Sequence, residues 1–187
     1  MARFILVLAL VVTAAMPAFS GSANASPEDV EKWFGKLGTY KEKVTKLHFY
    51  YHDLRDKTAL LIAQANSSAT SPTFFGMTYL MDDPLTAGPQ FTSKPVGRAQ
   101  GLYTASSTEE LSLLCVMNFV FTDGMYNGST LSISGYNPIL REYRELPIIG
   151  GTGVFRLARG VAKLRTFFFE PVVGNVTIEY NVLVQHY

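Results

Sequence analysis

The sequence contains a single cysteine, Cys115, and one chain therefore cannot form an internal disulfide bond. Packing of the core must hold the fold together, and oligomerisation is the further source of stability open to it. Cys115 lies in the apolar run LSLLCVMNFVF. This setting predicts a buried, inert thiol, because apolar burial raises a thiol's pKa and suppresses the reactive thiolate.

The chain also lacks an excess of charge of either sign, since it has 16 Lys and Arg and 15 Asp and Glu. No overall field favours nucleic acid or an anionic membrane as partner. Histidine is scarce as well. His48 and His52 would lie about 13 Å apart on one strand, which is too far for both to bind one metal ion, and only His186 remains. We therefore predict no metal site.

Motifs for nucleotide binding or covalent catalysis are missing. The glycine-rich segment GGTGVFRLARG has Arg156 where the dinucleotide fingerprint requires glycine, and no Lys-Ser/Thr pair follows as in a P-loop. No G-x-S-x-G elbow occurs either. The sequence predicts no cofactor, and the glycine-rich segment is interpreted as a tight turn that leads into a strand.

The N-terminus has the pattern of a secretory signal peptide. An apolar run from Phe4 to Ala15 is followed by Ala23-Asn24-Ala25, which predicts cleavage after Ala25 and an extracellular protein. The alternative, a membrane anchor, needs roughly 20 apolar residues, and this run is shorter. We divide the chain into a signal peptide (1–25), an N-terminal arm (26–43) and one domain (44–187).

Within the arm, Pro27 to Lys36 is the only stretch that predicts a helix, with Ser26 as its N-cap. From residue 44 the pattern predicts strand after strand, rich in β-branched and aromatic residues. The predicted strands are 44–53, 58–66, 73–82, 94–104, 111–122, 129–136, 152–165 and 176–186. Asp82-Asp83-Pro84 is expected to end the third of them. About eight antiparallel strands indicate a closed barrel or a sandwich.

One strand favours a barrel that encloses a ligand. One face of KPVGRAQGLYT carries small residues up to Tyr103, namely Pro95, Gly97, Ala99 and Gly101. Small inward residues would leave room for one small molecule in an eight-stranded barrel. The alternative is that a helix or loop packs closely against the glycines.

A second strand is apolar on both faces. In LSLLCVMNFVF one face runs from Leu111 through Cys115 to Phe121, and the other carries Leu114, Val116 and Val120. Burial of the outer face requires a protein partner, and a homo-oligomer is the commonest solution.

The stretch KLHFYYHD places an acid among aromatic residues. Counting by twos, one face of this strand carries Leu47, Phe49, Tyr51 and Asp53. A buried carboxylate must be paired, hydrogen-bonded or protonated. Arg144 is the most attractive partner, whereas the alternative is that Asp53 ends the strand in solvent or caps a turn.

Three Asn-x-Ser/Thr sequons predict a glycoprotein. They begin at Asn66, Asn127 and Asn175, each beside turn residues or near a strand end. We expect at least one of them to carry a glycan.

Five blocks of the sequence resemble the plant dirigent proteins. They are FYYHD (49–53), FFGMTYLMDDPLT (74–86), VGRAQGLY (96–103), NFVFTDGMYNGSTLSISG (118–135) and RELPIIGGTGVFRLARG (144–160). The resemblance implies an all-β fold, an eight-stranded antiparallel β-barrel with a small-molecule lumen, which assembles as a homotrimer and is secreted to the cell wall.

The resemblance also implies a function without redox activity of the protein's own. A separate oxidase, a laccase or peroxidase, makes phenoxy radicals from phenylpropanoids or other plant phenols, and the barrel imparts stereoselectivity on their coupling. The alternative within the family is a pterocarpan-synthase-type dehydratase, a lyase that cyclises an isoflavanol through a quinone methide. A third interpretation is a carbohydrate-binding wall protein, since some dirigent domains are fused to lectin-like modules.

The family's pocket residues correspond to Asp53, Tyr103 and Arg144. The resemblance implies that Asp53 and Arg144 act on or position the substrate and that Tyr103 binds it; Phe49, Tyr51 and Asn137 are further substrate-binding candidates. In the lignan-forming branch an aspartate stands at the position of Asn137, and a cysteine pair is present that this chain lacks. Asparagine cannot exchange a proton at ordinary pH, so the pattern favours the non-lignan branch.

Overall fold

The computed structural model describes residues 25–187, so the predicted signal peptide lies, except for Ala25, outside the described residues. Within that range one α-helix precedes nine strands. The elements are α1 (Pro27–Gly35), β1 (Lys43–Asp53), β2 (Ala59–Ala63), β3 (Thr78–Thr86), β4 (Pro95–Ala105), β5 (Ser112–Phe121), β6 (Thr130–Pro138), β7 (Arg144–Thr152), β8 (Arg159–Glu170) and β9 (Asn175–His186).

The predicted helix and its cap are confirmed. The Ser26 hydroxyl accepts a 3.2 Å hydrogen bond from the Asp29 backbone N–H, and the Asp29 carboxylate accepts one from the Ser26 backbone N–H. This reciprocal arrangement satisfies two N–H groups that a helix start otherwise leaves without partners. None of the helix residues is buried, so α1 lies on the surface. No helix within residues 25–187 has the length and apolar character needed to cross a membrane.

Eight antiparallel strands form a closed barrel. Around the ring the strands follow the order β1, β9, β8, β7, β6, β5, β4 and β3, and β3 then pairs with β1 through Tyr50 with Thr86 and Tyr51 with Leu85. β2 pairs with β3 alone and lies outside the ring. This ring confirms the predicted fold class, an eight-stranded antiparallel barrel. Closure of the ring removes the free edges that an open sheet would have.

Two strand predictions are wrong. The predicted strand 58–66 is β2, which is shorter and does not belong to the ring. The predicted strand 152–165 begins too early and ends too early: Thr152 is the last residue of β7, which was not predicted, a 3-10 turn occupies Gly153–Phe155, and β8 runs from Arg159 to Glu170. Gly153 adopts φ +64°, a left-handed backbone that glycine tolerates, and this breaks the extended chain.

Pro84 does not end a strand as predicted, because β3 continues through it to Thr86. One edge of β3 pairs with β4 along its whole length, with Pro84 opposite Arg98. On the other edge the Asp82 N–H donates to Thr58, and pairing with β1 begins only at Leu85. The Pro84 nitrogen faces the same edge as that of Asp82, in the gap between two partner strands, so no ladder hydrogen bond is lost.

The glycines of β4 do not make room for a ligand as expected. A Cβ atom on Gly97 would lie 2.3 Å from the Val120 carbonyl oxygen, and one on Gly101 would lie 2.2 Å from that of Val116. The glycines therefore allow the β5 backbone to approach β4 closely. The alternative interpretation, a helix or loop packed against them, is also wrong, because the neighbour is a strand.

Aromatic side chains fill one half of the barrel. Phe49 packs edge-to-face on Phe119 at 4.9 Å between ring centroids and stacks on Tyr180 at 5.6 Å. Phe155, from the 3-10 turn, is fully buried against Phe121 and closes this end. The predicted inward face of β5 is thus confirmed.

The outward face of β5 is uncovered in the single chain. Leu114 and Val116 are 41 % and 43 % exposed. A face of this kind is consistent with the predicted oligomer, which stays a prediction.

Candidate functional site

The other half of the barrel encloses a cavity of about 670 Å³. Its walls come from the ends of the strands that meet there, and its surface is mainly apolar and aromatic. Of the predicted site residues, the cavity is lined by Tyr51, Asp53, Tyr103, Asn137 and Arg144. Phe49, the sixth, is not among the lining residues, because its ring belongs to the packed half of the barrel.

Asp53 is held by a tyrosine from another strand. It is the last residue of β1, and alternation along the strand turns it to the same side as Tyr51. The Tyr103 hydroxyl, from β4, donates a 2.9 Å hydrogen bond to Asp53 Oδ2. Tyr103 in turn stacks on Tyr79 at 5.2 Å, and the Arg55 side chain donates a 3.0 Å hydrogen bond to the Tyr79 hydroxyl. The carboxyl is therefore bonded to one of two stacked phenol rings.

Burial, and after it the negative charge of Asp83, raise the pKa of Asp53 from 3.8 to about 7. The hydrogen bond from Tyr103 and the positive charge of Arg55 act in the opposite direction and are weaker. Near neutral pH the group is therefore divided between carboxylic acid and carboxylate. A carboxyl with such a pKa can give and take a proton at working pH.

The predicted ion pair between Asp53 and Arg144 is wrong. Both residues line the cavity, but within residues 25–187 the Arg144 guanidinium contacts no carboxylate. It donates instead to the Ile139 carbonyl at 3.3 Å and to the Thr166 hydroxyl at 2.9 Å. The side chain is 5 % exposed, and its Nε has no hydrogen-bond partner. A buried cation without a counter-ion suits an oxygen-rich or anionic ligand group.

Asn137 and Cys115 form a neighbouring pair in the wall. The Asn137 amide donates to Cys115 Sγ at 3.7 Å, while its Oδ1 atom is buried without a partner. Burial raises the pKa of the Cys115 thiol to about 11, so the predicted buried, inert thiol is confirmed.

Sequence reasoning missed a second carboxyl behind the wall. Asp83 is fully buried, and its Oδ2 accepts a 2.6 Å hydrogen bond from the Tyr51 hydroxyl. The Thr58 hydroxyl donates to its other oxygen. The sequence pattern placed Asp83 in a turn, so the alternation that would have marked it as inward was not applied to it. With the strand extended to Thr86, Asp83 lies on the same face as the buried Met81 and Leu85.

The histidines lie away from the cavity. His52 is buried on the outward side of β1, where its ring is hydrogen-bonded to Thr86 and Thr177. His48 pairs with Glu179 on the surface. Within residues 25–187, no group of three or more His, Cys, Asp or Glu side chains could hold a metal ion.

The three sequons differ in accessibility. Asn66 is exposed in a loop, whereas Asn127 and Asn175 are half-buried. The Asn175 amide accepts a 3.1 Å hydrogen bond from the Arg55 backbone N–H and donates one to Glu170. Of the predicted glycan sites, Asn66 is therefore the one whose amide is most available.

The sequence resembles those of known proteins. The family model described as "Dirigent-like protein" matches residues 44–185. Dirigent protein 23 of Arabidopsis thaliana is 45 % identical over 161 residues, which cover 84 % of this chain and 86 % of the relative. Pterocarpan synthase 1 of Glycine max is 46 % identical over 155 residues, which cover 81 % of this chain and 83 % of the relative.

A solved structure gives the same result for the fold. The pterocarpan synthase dirigent protein GePTS1 superposes with a TM-score of 0.76 at 45 % sequence identity, covering 81 % of this chain and 94 % of that chain. Sequence and fold agree over the barrel, and the chain belongs to the dirigent family.

Proposed function

We propose that the protein removes water from a phenolic benzylic alcohol of the isoflavanol class and directs ring closure of the resulting quinone methide. The observation that carries this proposal is Asp53: a carboxyl in an apolar cavity whose burial raises its pKa to about 7. A general acid needs a pKa near the working pH. Support also comes from relatives named pterocarpan synthase at 46 % identity.

In this reaction Asp53 first acts as an acid. Its proton goes to the benzylic hydroxyl, the carbon–oxygen bond breaks with the electron pair on oxygen, and water leaves. A base in the cavity wall takes the phenolic proton from the same ring, which gives a neutral quinone methide. A second phenolic hydroxyl of the substrate then attacks the benzylic carbon, and its proton goes to the Asp53 carboxylate. The first phenolic oxygen takes its own proton back from the base. The net change is the loss of one water molecule, and no oxidant is consumed.

Arg144 stabilises the negative charge that develops on an oxygen of the substrate during the reaction. Its guanidinium is buried in the cavity wall, with no carboxylate in contact among the described residues. A preorganised cation in a water-poor site acts strongly on such charge. Asp53 and Arg144 are thus assigned to different groups of the substrate, which agrees with the absence of an ion pair between them.

Handedness follows from the shape of the wall. The stacked rings of Tyr79 and Tyr103 both line the cavity and give it an aromatic surface, from which Tyr103 donates to Asp53. An aromatic substrate that lies against this surface presents one face of its quinone methide to the internal nucleophile. Fixing that geometry before ring closure accelerates the reaction and selects one product hand.

Radical coupling is the second candidate. A cavity of about 670 Å³ falls within the range of roughly 300–1,000 Å³ that holds drug-sized ligands, and it has room for two phenolic rings. In that case the barrel would position two radicals supplied by a separate oxidase, and Asp53 would orient a phenol.

One experiment discriminates between the two candidates. Purified protein is incubated with a racemic isoflavanol in the absence of oxidant, and separately with a monolignol and a one-electron oxidant. The dehydratase yields a cyclised, optically active product in the first incubation and leaves the second racemic. A racemic or absent product in the first incubation, with enantiomeric excess in the second, would establish radical coupling instead.

For this role we propose that the protein assembles as a homotrimer and is secreted to the cell wall. The uncovered outward face of β5 supports self-association. The signal-peptide pattern of residues 1–25 supports secretion.

A further inference from the structure

Tyr51 connects the cavity to a carboxyl that no ligand can reach directly. Its ring lines the cavity, and its hydroxyl donates a 2.6 Å hydrogen bond to Asp83 Oδ2. Asp83 itself is fully buried and is absent from the cavity wall. The phenol of Tyr51 therefore stands between the cavity and the buried acid.

Asp83 accepts hydrogen bonds but forms no ion pair within residues 25–187. The hydroxyls of Thr58 and Tyr51 donate hydrogen bonds to it, and the Leu54 backbone N–H donates one as well. The neighbouring Arg98 pairs with Asp82 instead. Burial raises the pKa of Asp83, while the three donors and the charge of Arg98 act against this. The raised pKa makes the Asp83 carboxylate a better proton acceptor than an exposed carboxylate.

The Tyr51 oxygen keeps its acceptor capacity. The Tyr51 hydroxyl donates to Asp83 and also lies 3.2 Å from Met81 Sδ, and both Tyr51 and Met81 line the cavity. A phenol oxygen has lone pairs besides its O–H bond, so a hydroxyl inside the cavity can donate to it. A phenol that entered the cavity could donate to Tyr51 while Tyr51 donates to Asp83. This arrangement is a chain of two hydrogen bonds that ends on a base.

We propose that Tyr51 and Asp83 form a relay that removes the phenolic proton of the substrate when the quinone methide forms. This inference rests on the proposed function. The substrate O–H bond breaks and its proton bonds to the Tyr51 oxygen. The Tyr51 O–H bond breaks in the same step and its proton bonds to Asp83, which becomes a carboxylic acid. Tyr51 touches the substrate, and Asp83 is a positioning residue that acts through it.

The relay and Asp53 complete one cycle together. Asp53 gives a proton to the leaving hydroxyl, while Asp83 gains one from the phenol through Tyr51. When the second hydroxyl closes the ring, Asp53 regains its proton and Asp83 returns the phenolic one. Both carboxyls end in their starting states, and the balance is again the loss of one water.

The charged and titratable neighbours of the relay are known from the contacts. Tyr51 and Asp53 lie on β1, and Tyr103 and Arg98 lie on β4. The negative charge of Asp83 raises the pKa of Asp53. When the relay neutralises that charge, the pKa of Asp53 falls, and Asp53 becomes a stronger acid at the moment when it must give up its proton.

The test uses Tyr51→Phe and Asp83→Asn, with Tyr126→Phe as the matched control. Tyr126 packs on Phe155 at the filled end of the barrel and does not line the cavity. We expect each relay variant to lower kcat/KM for an isoflavanol by about 10²-fold, a typical contribution of a proton-transfer group, and the control to match the wild type.

A readout besides the rate separates proton transfer from a structural role. With an isoflavanol whose phenol is made more acidic by a neighbouring fluorine, the defect of Tyr51→Phe should shrink several-fold, because a more acidic phenol needs less help. An equal defect for both substrates would overturn the relay. If Asp83→Asn does not fold, the comparison with Tyr51→Phe alone still decides.

A binding measurement distinguishes failure of the relay from failure of the proposed function. The ligand is an isoflavan phenol that lacks the benzylic hydroxyl, compared with its methyl ether. We expect the wild type to prefer the phenol and Tyr51→Phe to lose that preference. If the wild type neither converts the isoflavanol nor prefers the phenol to its methyl ether, both proposals are overturned. If it converts the isoflavanol but shows no such preference, the relay alone is overturned.

Discussion

The hydroxyl of Tyr103 lies 2.9 Å from Asp53 Oδ2 and links β4 to β1 across the end of the barrel. This bond favours the carboxylate and therefore holds the pKa of Asp53 below the value that burial alone would give. Tyr103→Phe removes it. The pKa of Asp53 then rises, and the alkaline decline of the kcat/KM profile moves to higher pH. Tyr126→Phe, outside the cavity, should leave the profile unchanged.

Asp53→Asn should stabilise the protein at alkaline pH. The pKa of Asp53 is about 7 in the folded chain and about 3.8 when unperturbed, so the folded state holds a proton that the unfolded state releases. This carboxyl therefore costs stability as pH rises from about 4 to about 7, and the cost is complete above that range. Urea unfolding should show Asp53→Asn to be more stable than the wild type at pH 8, with a smaller gain at pH 5. An equal gain at both pH values would contradict the raised pKa.

Arg144→Gln tests whether the buried guanidinium acts on developing charge. Loss of one such donor typically costs 10²–10³-fold in kcat, so a loss of about 10²-fold is expected. Arg141→Gln is the matched control, because its side chain is exposed and pairs with Glu110 on the surface. Similar rates for the two variants would remove Arg144 from the mechanism.

Gly97→Ala should destabilise the barrel without touching the cavity. The added Cβ would lie 2.3 Å from the Val120 carbonyl oxygen, so β4 and β5 must separate. Overpacking of this kind costs about 1–3 kcal/mol of unfolding free energy. Gly150→Ala is the control, since a Cβ there meets nothing within 4 Å. Chemical denaturation of both variants checks this difference.

Val116→Glu tests the oligomer. Val116 is 43 % exposed at the centre of the apolar outward face of β5, between Leu102 and Ser134 on the neighbouring strands. A charge buried in a subunit interface without a partner is very costly, so we expect a trimeric wild type and a monomeric variant. Light scattering after size-exclusion chromatography measures the mass. A wild-type monomer would contradict the predicted assembly.

Local patterns in the sequence predicted much of the fold. Alternation along β1 placed Tyr51 and Asp53 on one inward side, and Ser26 marked the helix start. The sequence predicted the correct number of ring strands, eight, but not the correct set of strands. It included β2, which lies outside the ring, and it missed β7. Membership of the ring depends on which strands pair across long distances, and residues 58–66 show the same β-propensity whether or not they join it.

The site was predicted less completely than the fold. The pattern and the family resemblance identified Asp53, Tyr103 and Arg144 but paired two of them wrongly, because their separation depends on the width of the closed barrel. Asp83 was missed because Asp-Pro is a turn signal, and the gap between β1 and β2 that tolerates Pro84 is visible only once the barrel closes.

The most direct test of the central claim is kcat/KM for an isoflavanol without oxidant, measured for the wild type and Asp53→Asn across the neutral pH range. The account predicts a wild-type rate that falls above pH of about 7, and a variant that is 10²–10⁴-fold slower and has lost this pH dependence. A variant that keeps the wild-type rate and the same enantiomeric excess would contradict it.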